Sequence, residues 1–391
     1  GAVLRKRTVI GLSVLALAVA AAVATAWLVC TAAGSRLAVT ALFRLMPVTV
    51  EAERISGTLA RGMTLEGLRL AWPTGEARVS SVRLRLQGLP LASASVWLDA
   101  VDVQGVVIDD EGPGGAPPYD LEWPRAPRLM AALSGGIRGF RVIDVVYRRP
   151  GRDPVAVREV RGEVSWGRGS VLAVRDLAIR LPDATAGGSV RAGFLFPSLQ
   201  ADLAVRTNRA DGASDALALK ADFAAGKDPE QLSGPVSLDV SSGDRMQFRL
   251  EGEMGLTRKT LHVRNLQVKD GEGKVFATAE GQVDVSTQEI LAGASFRVGE
   301  VSGIPALALT GAMELRGLPD RFEGNITLEN HGEAWRSARL TGDLTGGVDG
   351  IRMTRLTGRI LGGTVDGELR GAWDRGMSWT GSLRARGLNP A

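Results

Sequence analysis

The sequence predicts a mainly β protein, in which an N-terminal transmembrane helix precedes a long curved antiparallel β-sheet with an apolar interior. Three observations predict this fold. An uncharged segment lies near the N-terminus, and apolar and polar residues alternate with period two over most of the remaining chain. Glycine also recurs within the alternating stretches, and the chain has 50 glycines among its 391 residues.

The anchor is predicted from charge and length. Three basic residues at positions 5–7 precede an uncharged run over residues 8–35. Its apolar centre is close to the ~20 residues that a spanning helix needs. Positive charge on the N-terminal flank indicates that this end stays in the cytoplasm. We therefore predict a basic cytoplasmic tail at 1–7 and a transmembrane anchor at 8–33.

Two alternatives to the uncleaved anchor are open. Ala24-Thr25-Ala26 would serve as the cleavage box of a signal peptide, but the apolar run is longer than a usual signal core. Cys30 would suggest a lipoprotein, but Val29 stands where a small residue is expected. Cys30 is also the only cysteine, so an internal disulfide is excluded.

Residues 34–50 are predicted to form a juxtamembrane helix and linker. Apolar residues recur there at helical spacing, at Leu37, Ala41, Phe43 and Leu45, and Pro47 ends the pattern. This helix either lies along the membrane surface or caps the β region that follows. We favour the capping interpretation.

The β region is predicted to cover residues 51–391 and to lie across the membrane from the cytoplasmic tail. Its clearest strand is Met246–Leu256, where every second residue is apolar or glycine and Gln247, Arg249 and two glutamates lie between them. Such alternation gives a strand one apolar and one charged face. Gly252 lies in the middle of the apolar face, where it allows bending or a close neighbour. The same apolar-x-Gly-x-apolar pattern recurs to the end of the chain.

A long trough is predicted because the sequence offers nothing to cover the apolar face. After a Pro/Gly-rich loop at 109–127 and a possible helical turn ending at Leu133, no run of amphipathic helices follows. At about 13 residues per strand the region holds about 26 strands, more than the ~10 that sheets usually reach without splitting or curling. An open apolar trough favours a greasy occupant, either acyl chains or unfolded strands.

The predicted lipid-binding groove consists of the inward-facing apolar residues of these strands. They are Val82, Leu84, Leu86, Val160, Val164, Leu177, Ile179, Met246, Phe248, Leu250, Met254, Leu256, Val283, Ile326, Leu340, Leu344, Leu369 and Leu383.

Other classes of function find little support in the sequence. The net charge of +4 is spread along the chain, which does not favour nucleic acid. Two histidines make a zinc site improbable, and His262 is predicted to lie on the surface. Residues 270–273 resemble a calcium loop faintly, but a hairpin turn explains them better. We expect no enzyme activity, no metal and no cofactor.

Two stretches carry a resemblance to a known family. One comprises RISGTLARGMTLEGLRLAWP, VSSVRLRLQGLPL and LDAVDVQGVVIDD, and the other comprises RMTRLTGRILGGTVDGELRGAW and SWTGSLRARGLNP. Both resemble the TamB family of Gram-negative bacteria, which is related to the AsmA-like proteins. The resemblance implies an inner-membrane anchor and a taco-shaped β groove in the periplasm. It also implies phospholipid movement to the outer membrane and docking with an outer-membrane barrel protein, TamA. The family implies no catalytic residues.

The chain departs from the family in length. The carboxy-terminal region by which family members meet TamA is not evident, so we interpret the chain as the amino-terminal part of a longer protein. The expected partners are phospholipid acyl chains, the inner membrane, and a TamA- or BamA-like barrel through the missing region. The function predicted is a lipid conduit; alternatives are a scaffold for assembly or secretion of outer-membrane β-barrel proteins and autotransporters, and a surface adhesin.

Overall fold

The computed structural model describes most of the chain. The described residues are 27–45, 48–88, 95–110, 120–125, 134–150, 153–167, 170–208, 214–227, 230–243, 245–286, 290–298, 309–318, 321–331, 338–347, 350–372 and 378–389. Three predicted features lie outside the described residues. They are the tail at 1–7, residues 8–26 of the anchor, and the helical turn ending at Leu133. Within the described residues, no helix is both long enough and apolar enough to cross a membrane.

The chain is mainly β and divides into two units. The first comprises Gly1–Gly114 and Ala126–Leu195, and the second comprises Gly115–Arg125 and Phe196–Ala391. The described part of the first unit holds the helical residues 27–30, the helix α1 (Ala32–Leu45) and eight strands. These are β1 (Thr49–Thr58), β2 (Gly62–Trp72), β3 (Gly75–Gly88), β4 (Ser95–Asp110), β5 (Ser134–Arg148), β6 (Val155–Gly167), β7 (Val171–Arg180) and β8 (Ala184–Gly193).

The described part of the second unit holds thirteen strands and no helix. They are β9 (Ser198–Asn208), β10 (Ser214–Ala225), β11 (Leu232–Ser242), β12 (Arg245–Leu256), β13 (Thr260–Asp270), β14 (Val275–Asp284), β15 (Ile290–Val298), β16 (Leu309–Leu318), β17 (Arg321–Asn330), β18 (Ala338–Gly347), β19 (Gly350–Ile360), β20 (Gly363–Ala372) and β21 (Ser378–Arg386).

In the second unit each strand pairs antiparallel with the next one along the chain, so the predicted antiparallel sheet is confirmed there. The hairpin turn predicted at residues 270–273 is also confirmed. The Asp270 carboxylate accepts hydrogen bonds from the backbone N–H groups of Glu272 (3.0 Å) and Lys274 (2.9 Å). This carboxylate therefore stabilises the turn that joins β13 to β14.

The first unit departs from the predicted antiparallel order at one place, because β4 and β5 run parallel. A parallel pair needs a long crossover, and the connection from Asp110 to Ser134 supplies one. The loop predicted at 109–127 also begins later than expected. Asp109 lies within β4 opposite Glu76, and its carboxylate accepts a hydrogen bond of 2.9 Å from Arg78 Nη2.

Helix α1 packs on the apolar side of the first strands of the first unit. Val39 packs in one cluster with Met63, Leu65 and Leu68, and Met63 is completely buried (0% exposed). The start of the helix is tied to the turn between β1 and β2, since the buried Ser35 hydroxyl accepts a hydrogen bond of 3.1 Å from the Leu59 N–H. This is the capping arrangement favoured by the sequence.

Three hairpins share an irregularity that strict alternation does not predict. In each, a non-glycine residue with positive φ lies within the second strand where the register shifts, opposite a glycine of the first strand. The pairs are Asp176 with Gly162, Asn265 with Gly252, and Arg355 with Gly342. A Cβ on Gly252 would lie 3.1 Å from the Arg264 carbonyl oxygen, so a glycine suits this close approach. Such bulges place an extra residue in one strand and shift its apolar phase.

Candidate apolar binding face

The strand register defines one apolar face in the second unit, because residues directly opposite each other in a pair of strands share a face. Leu250 of β12 lies opposite Leu238 of β11 and Val268 of β13. A second row runs beside it across β11 to β16. Its members are Leu232, Leu256, Leu261, Val283, Ala292 and Leu315. We call this side of the sheet the apolar face.

Most of the groove residues predicted in the second unit lie on the apolar face. By register these are Phe248, Leu250, Met254, Leu256, Val283, Ile326, Leu340, Leu344, Leu369 and Leu383. Met246 is the exception. A register shift at the start of β12 pairs it with Ser241, whose neighbours in the sheet are polar or small, so the predicted phase fails at this end.

Sharing the face does not make these residues equally accessible. Leu344 is 1% exposed and Ile326 is 5% exposed, whereas Leu383, on the last described strand, is 62% exposed. Leu344 and Ile326 are therefore packed side chains. An apolar ligand would reach the face elsewhere.

The groove residues predicted in the first unit also share one face. A row across the strands joins Val82, Val103, Val142, Val160 and Ile179. The remaining predicted residues, Leu84, Leu86, Val164 and Leu177, lie on the same side by alternation along their strands or by their pairing. Val82 and Leu84 pack against the cluster beneath α1, so they belong to a covered core. The groove role predicted for these two residues is therefore not supported by their position.

A hollow of about 270 Å³ opens on the apolar face between β13 and β16. Its flanks carry large residues, Leu261, Val263 and Leu266 on β13 and Met313 and Leu315 on β16. Its middle strands contribute small residues, chiefly Ala279, Gly281, Ala292 and Ala294, together with Val283. The difference in side-chain size between flanking and central strands accounts for the depression, which we call the hollow.

At the floor of the hollow, β14 and β15 approach each other closely, which leaves no room for a side chain at Gly281. A Cβ on Gly281 would lie 2.9 Å from the Gly293 carbonyl oxygen and 3.2 Å from the Ala294 Cβ. Contacts this short would force neighbouring atoms to move. A larger residue at Gly281 would therefore disturb the pairing of β14 with β15 as well as fill the hollow.

Sequence reasoning found only Val283 among the residues that line the hollow. Val263 and Leu266 both line it although they are three residues apart, because the bulge at Asn265 shifts the phase between them. Asn tolerates positive φ better than most residues. An asparagine between two apolar residues that fail to alternate was therefore the available signal.

The opposite face is charged, as the alternation in β12 predicts. Arg249 donates two hydrogen bonds to the Asp239 carboxylate, at 2.6 and 2.8 Å, and Lys269 Nζ lies 2.5 Å from the Glu251 carboxylate. The hydrogen bond from Arg249 lowers the pKa of the Asp239 carboxyl. Ion pairs therefore cover one side of these strands while the other side stays apolar.

One polar cluster on the charged side differs from its prediction. His262 was expected to be a surface residue, but its side chain is 15% exposed and its Nε2 lies 3.1 Å from Glu230 Oε1. Arg264 contacts the same carboxylate oxygen. Across the part of the chain that the structure describes, no three His, Cys, Asp or Glu side chains converge on a possible metal position.

Comparison with known proteins gives no relative. No protein-family model matches the chain, and no curated protein or solved structure shows significant similarity to it. The resemblance to the TamB family therefore stays a prediction from the residues quoted above.

Proposed function

We propose that the protein is a membrane-anchored lipid conduit of the periplasm, in which the apolar face shields acyl chains while headgroups stay in water. The observation that carries the proposal is the hollow. It lies on a continuous apolar face, and no described helix of the second unit covers it. Unsatisfied apolar surface of this kind marks binding sites in soluble and peripheral proteins.

The size of the hollow favours a segment of a chain-like ligand. Small-molecule pockets usually measure about 300–1,000 Å³, so about 270 Å³ holds part of an acyl chain rather than a whole lipid. Each methylene removed from water contributes about 0.8 kcal/mol. Non-directional binding of this kind would let a chain move along the face, since no hydrogen bond fixes its register.

The proposal is tested by photo-crosslinking with neighbouring residues that point to opposite faces. A photoreactive residue at Leu315, which lines the hollow, is expected to crosslink to phospholipid in cells expressing the full chain. The same residue at Glu314, exposed on the charged side, is the matched control. Mass spectrometry of the adducts identifies the lipid. Equal lipid labelling at both positions, or none at either, would contradict the proposal.

A second candidate is the assembly scaffold, which one observation favours. Among the described residues, β21 pairs only with β20, and a scaffold would use such a strand for β-augmentation of a client. This function predicts crosslinks from the edge strand to polypeptide. Protein adducts at Thr380, together with an absence of lipid adducts at Leu315, would favour the scaffold over the conduit.

A further inference from the structure

The charged face of the second unit is not uniform. Strands β14–β17 carry three arginines and five carboxylates, a net charge of −2, whereas β18–β21 carry seven arginines and three carboxylates, a net charge of +4. Neither group of strands contains a lysine. The low overall charge of the chain therefore conceals a basic region in the last four described strands.

Four of these arginines form one surface. Arg339, Arg359 and Arg386 lie in one row across β18–β21, in which Thr364 occupies the β20 position, and Arg384 lies two residues before Arg386 on the same face. All four arginines are exposed. With strands ~4.8 Å apart, the row spans about 14 Å. We call these four residues the arginine surface.

The arginine surface is only partly neutralised by its neighbours. Arg339 Nε lies 3.4 Å from Glu329 Oε1, and Asp366 stands opposite Arg384 without an ion pair within 4 Å. Arg339 and Arg359 also stand directly opposite each other. Like charges in that position destabilise a sheet, so folding alone gives no reason for the arrangement.

We propose that the arginine surface docks on an anionic phospholipid bilayer. Guanidinium groups bind phosphate oxygens through two parallel hydrogen bonds, and the Thr357 and Thr364 hydroxyls on the same face add further donors. A bilayer presents phosphates in a plane, which suits a row of arginines spread over four strands. The proposal concerns the face opposite the hollow and does not depend on the lipid-conduit function.

An exposed leucine two residues beyond Arg386 favours a bilayer over a free phosphate or an acidic protein. Leu388 follows Arg386 by two residues and is 41% exposed. The next residue, Asn389, donates a backbone hydrogen bond of 3.0 Å to the Leu361 carbonyl oxygen, which holds this segment at the turn between β19 and β20. An exposed apolar residue near cationic residues is typical of surfaces that rest at the boundary between headgroups and acyl chains.

The test measures vesicle binding by the full chain immobilised through its N-terminus. We expect it to bind phosphatidylcholine vesicles that contain phosphatidylglycerol, and to bind them less tightly as ionic strength rises. Each arginine near an anionic bilayer contributes about fivefold in affinity, so Arg359→Gln with Arg386→Gln is expected to weaken binding about 25-fold. The matched control is the double variant Arg297→Gln with Arg321→Gln, since these arginines are exposed on β15 and β17, within the net-negative group of strands β14–β17.

Three outcomes would overturn the proposal. One is equal loss of binding in the variant and the control, and another is equal binding of vesicles without phosphatidylglycerol. The third is complete competition by inorganic phosphate at matched phosphate concentration, which would indicate a free-phosphate site. Loss of the fold is separable from loss of docking, because replacing Arg359 removes the repulsion with Arg339 and should leave thermal stability unchanged or higher.

Discussion

The β2–β4 region of the first unit and the β13–β16 region of the second unit are built from the same alternation but end in different states. In the first, α1 lies on the apolar side, and Met63 beneath it is fully buried. In the second, the apolar residues around the hollow are half-buried and no described helix of that unit lies on them. Alternation thus predicts an apolar face, but whether that face becomes a core depends on what the rest of the chain places on it.

The two regions also differ in the size of the side chains on their apolar faces. The covered strands present Met63, Leu65, Leu68 and Val79 to the cluster. The central strands of the uncovered region present alanine and glycine instead. Large residues beneath a helix fill space as a close-packed interior requires, whereas small residues between large flanks leave room for a ligand.

The largest difference between the two regions is expected when a methionine in each is truncated to alanine and the free energy of unfolding is measured. Met63→Ala is expected to lower the free energy of unfolding by about 2–5 kcal/mol, because it leaves a cavity under α1. Met313→Ala, at the flank of the hollow, is expected to cost under about 1.5 kcal/mol, because solvent already reaches the site. Denaturant-dependent hydrogen exchange of β2 and β16 amides measures each unit separately. Equal losses at both sites would remove the distinction between core and binding face.

A second prediction concerns charge in the hollow and follows from the proposed conduit. Ala292→Glu places a carboxylate on the floor, where it must stay hydrated or neutralise, so co-purified lipid is expected to fall at least about tenfold. Leu291→Glu is the matched control, because Leu291 is exposed on the other face and stands opposite Arg316. Lipid extraction and mass spectrometry of both variants give the readout. Unchanged lipid in Ala292→Glu would show that the hollow does not hold it.

Much of the fold could be predicted from the sequence, and the failures have physical causes. Alternation placed Leu250, Val283 and Leu369 on one face because strand periodicity is local and geometric. It failed for Met246, since a bulge changes the phase without a strong local signal. The parallel pairing of β4 with β5 was missed because it depends on how the long connection between them brings the chain back to the sheet, which alternation within a strand does not encode.

The candidate site was less predictable than the fold. The burial of Leu344 and Ile326 depends on packing beyond their own strands, which alternation does not encode. The hollow depends on which residues of adjacent strands face each other, for example Ala294 between Gly281 and Met313. The strand register therefore determines which apolar residues come together as a site, and alternation within single strands does not give that register.

Segment 120–125 of the second unit differs from α1 in the kind of contact that holds it. Polar contacts hold this segment, whereas apolar packing holds α1. The Arg258 guanidinium donates to both carboxylate oxygens of Asp120. Its Nε lies 3.0 Å from Oδ1 and 2.9 Å from Oδ2, and its Nη2 lies 2.7 Å from Oδ2. The Gln231 side chain accepts from the Trp123 N–H at 2.9 Å and donates to the Leu121 carbonyl at 3.2 Å. These contacts are mostly exposed, so the segment is expected to open far more readily than α1.

The smallest expected effect is the pH dependence of this segment. The hydrogen bond from Arg258 lowers the pKa of the Asp120 carboxyl, so the contact stabilises the docked segment above the ordinary aspartate pKa of about 3.9. It is lost as pH falls through the lowered value. Asp120→Asn should therefore modestly speed exchange of the Leu121 N–H, which donates to the Arg258 carbonyl at 2.8 Å, and the difference from wild type should vanish in acid. Arg125→Gln, which removes only a 3.4 Å ion pair with Glu122, should leave that exchange unchanged. A difference that persists below the lowered pKa would assign the effect to the altered side chain rather than to its charge.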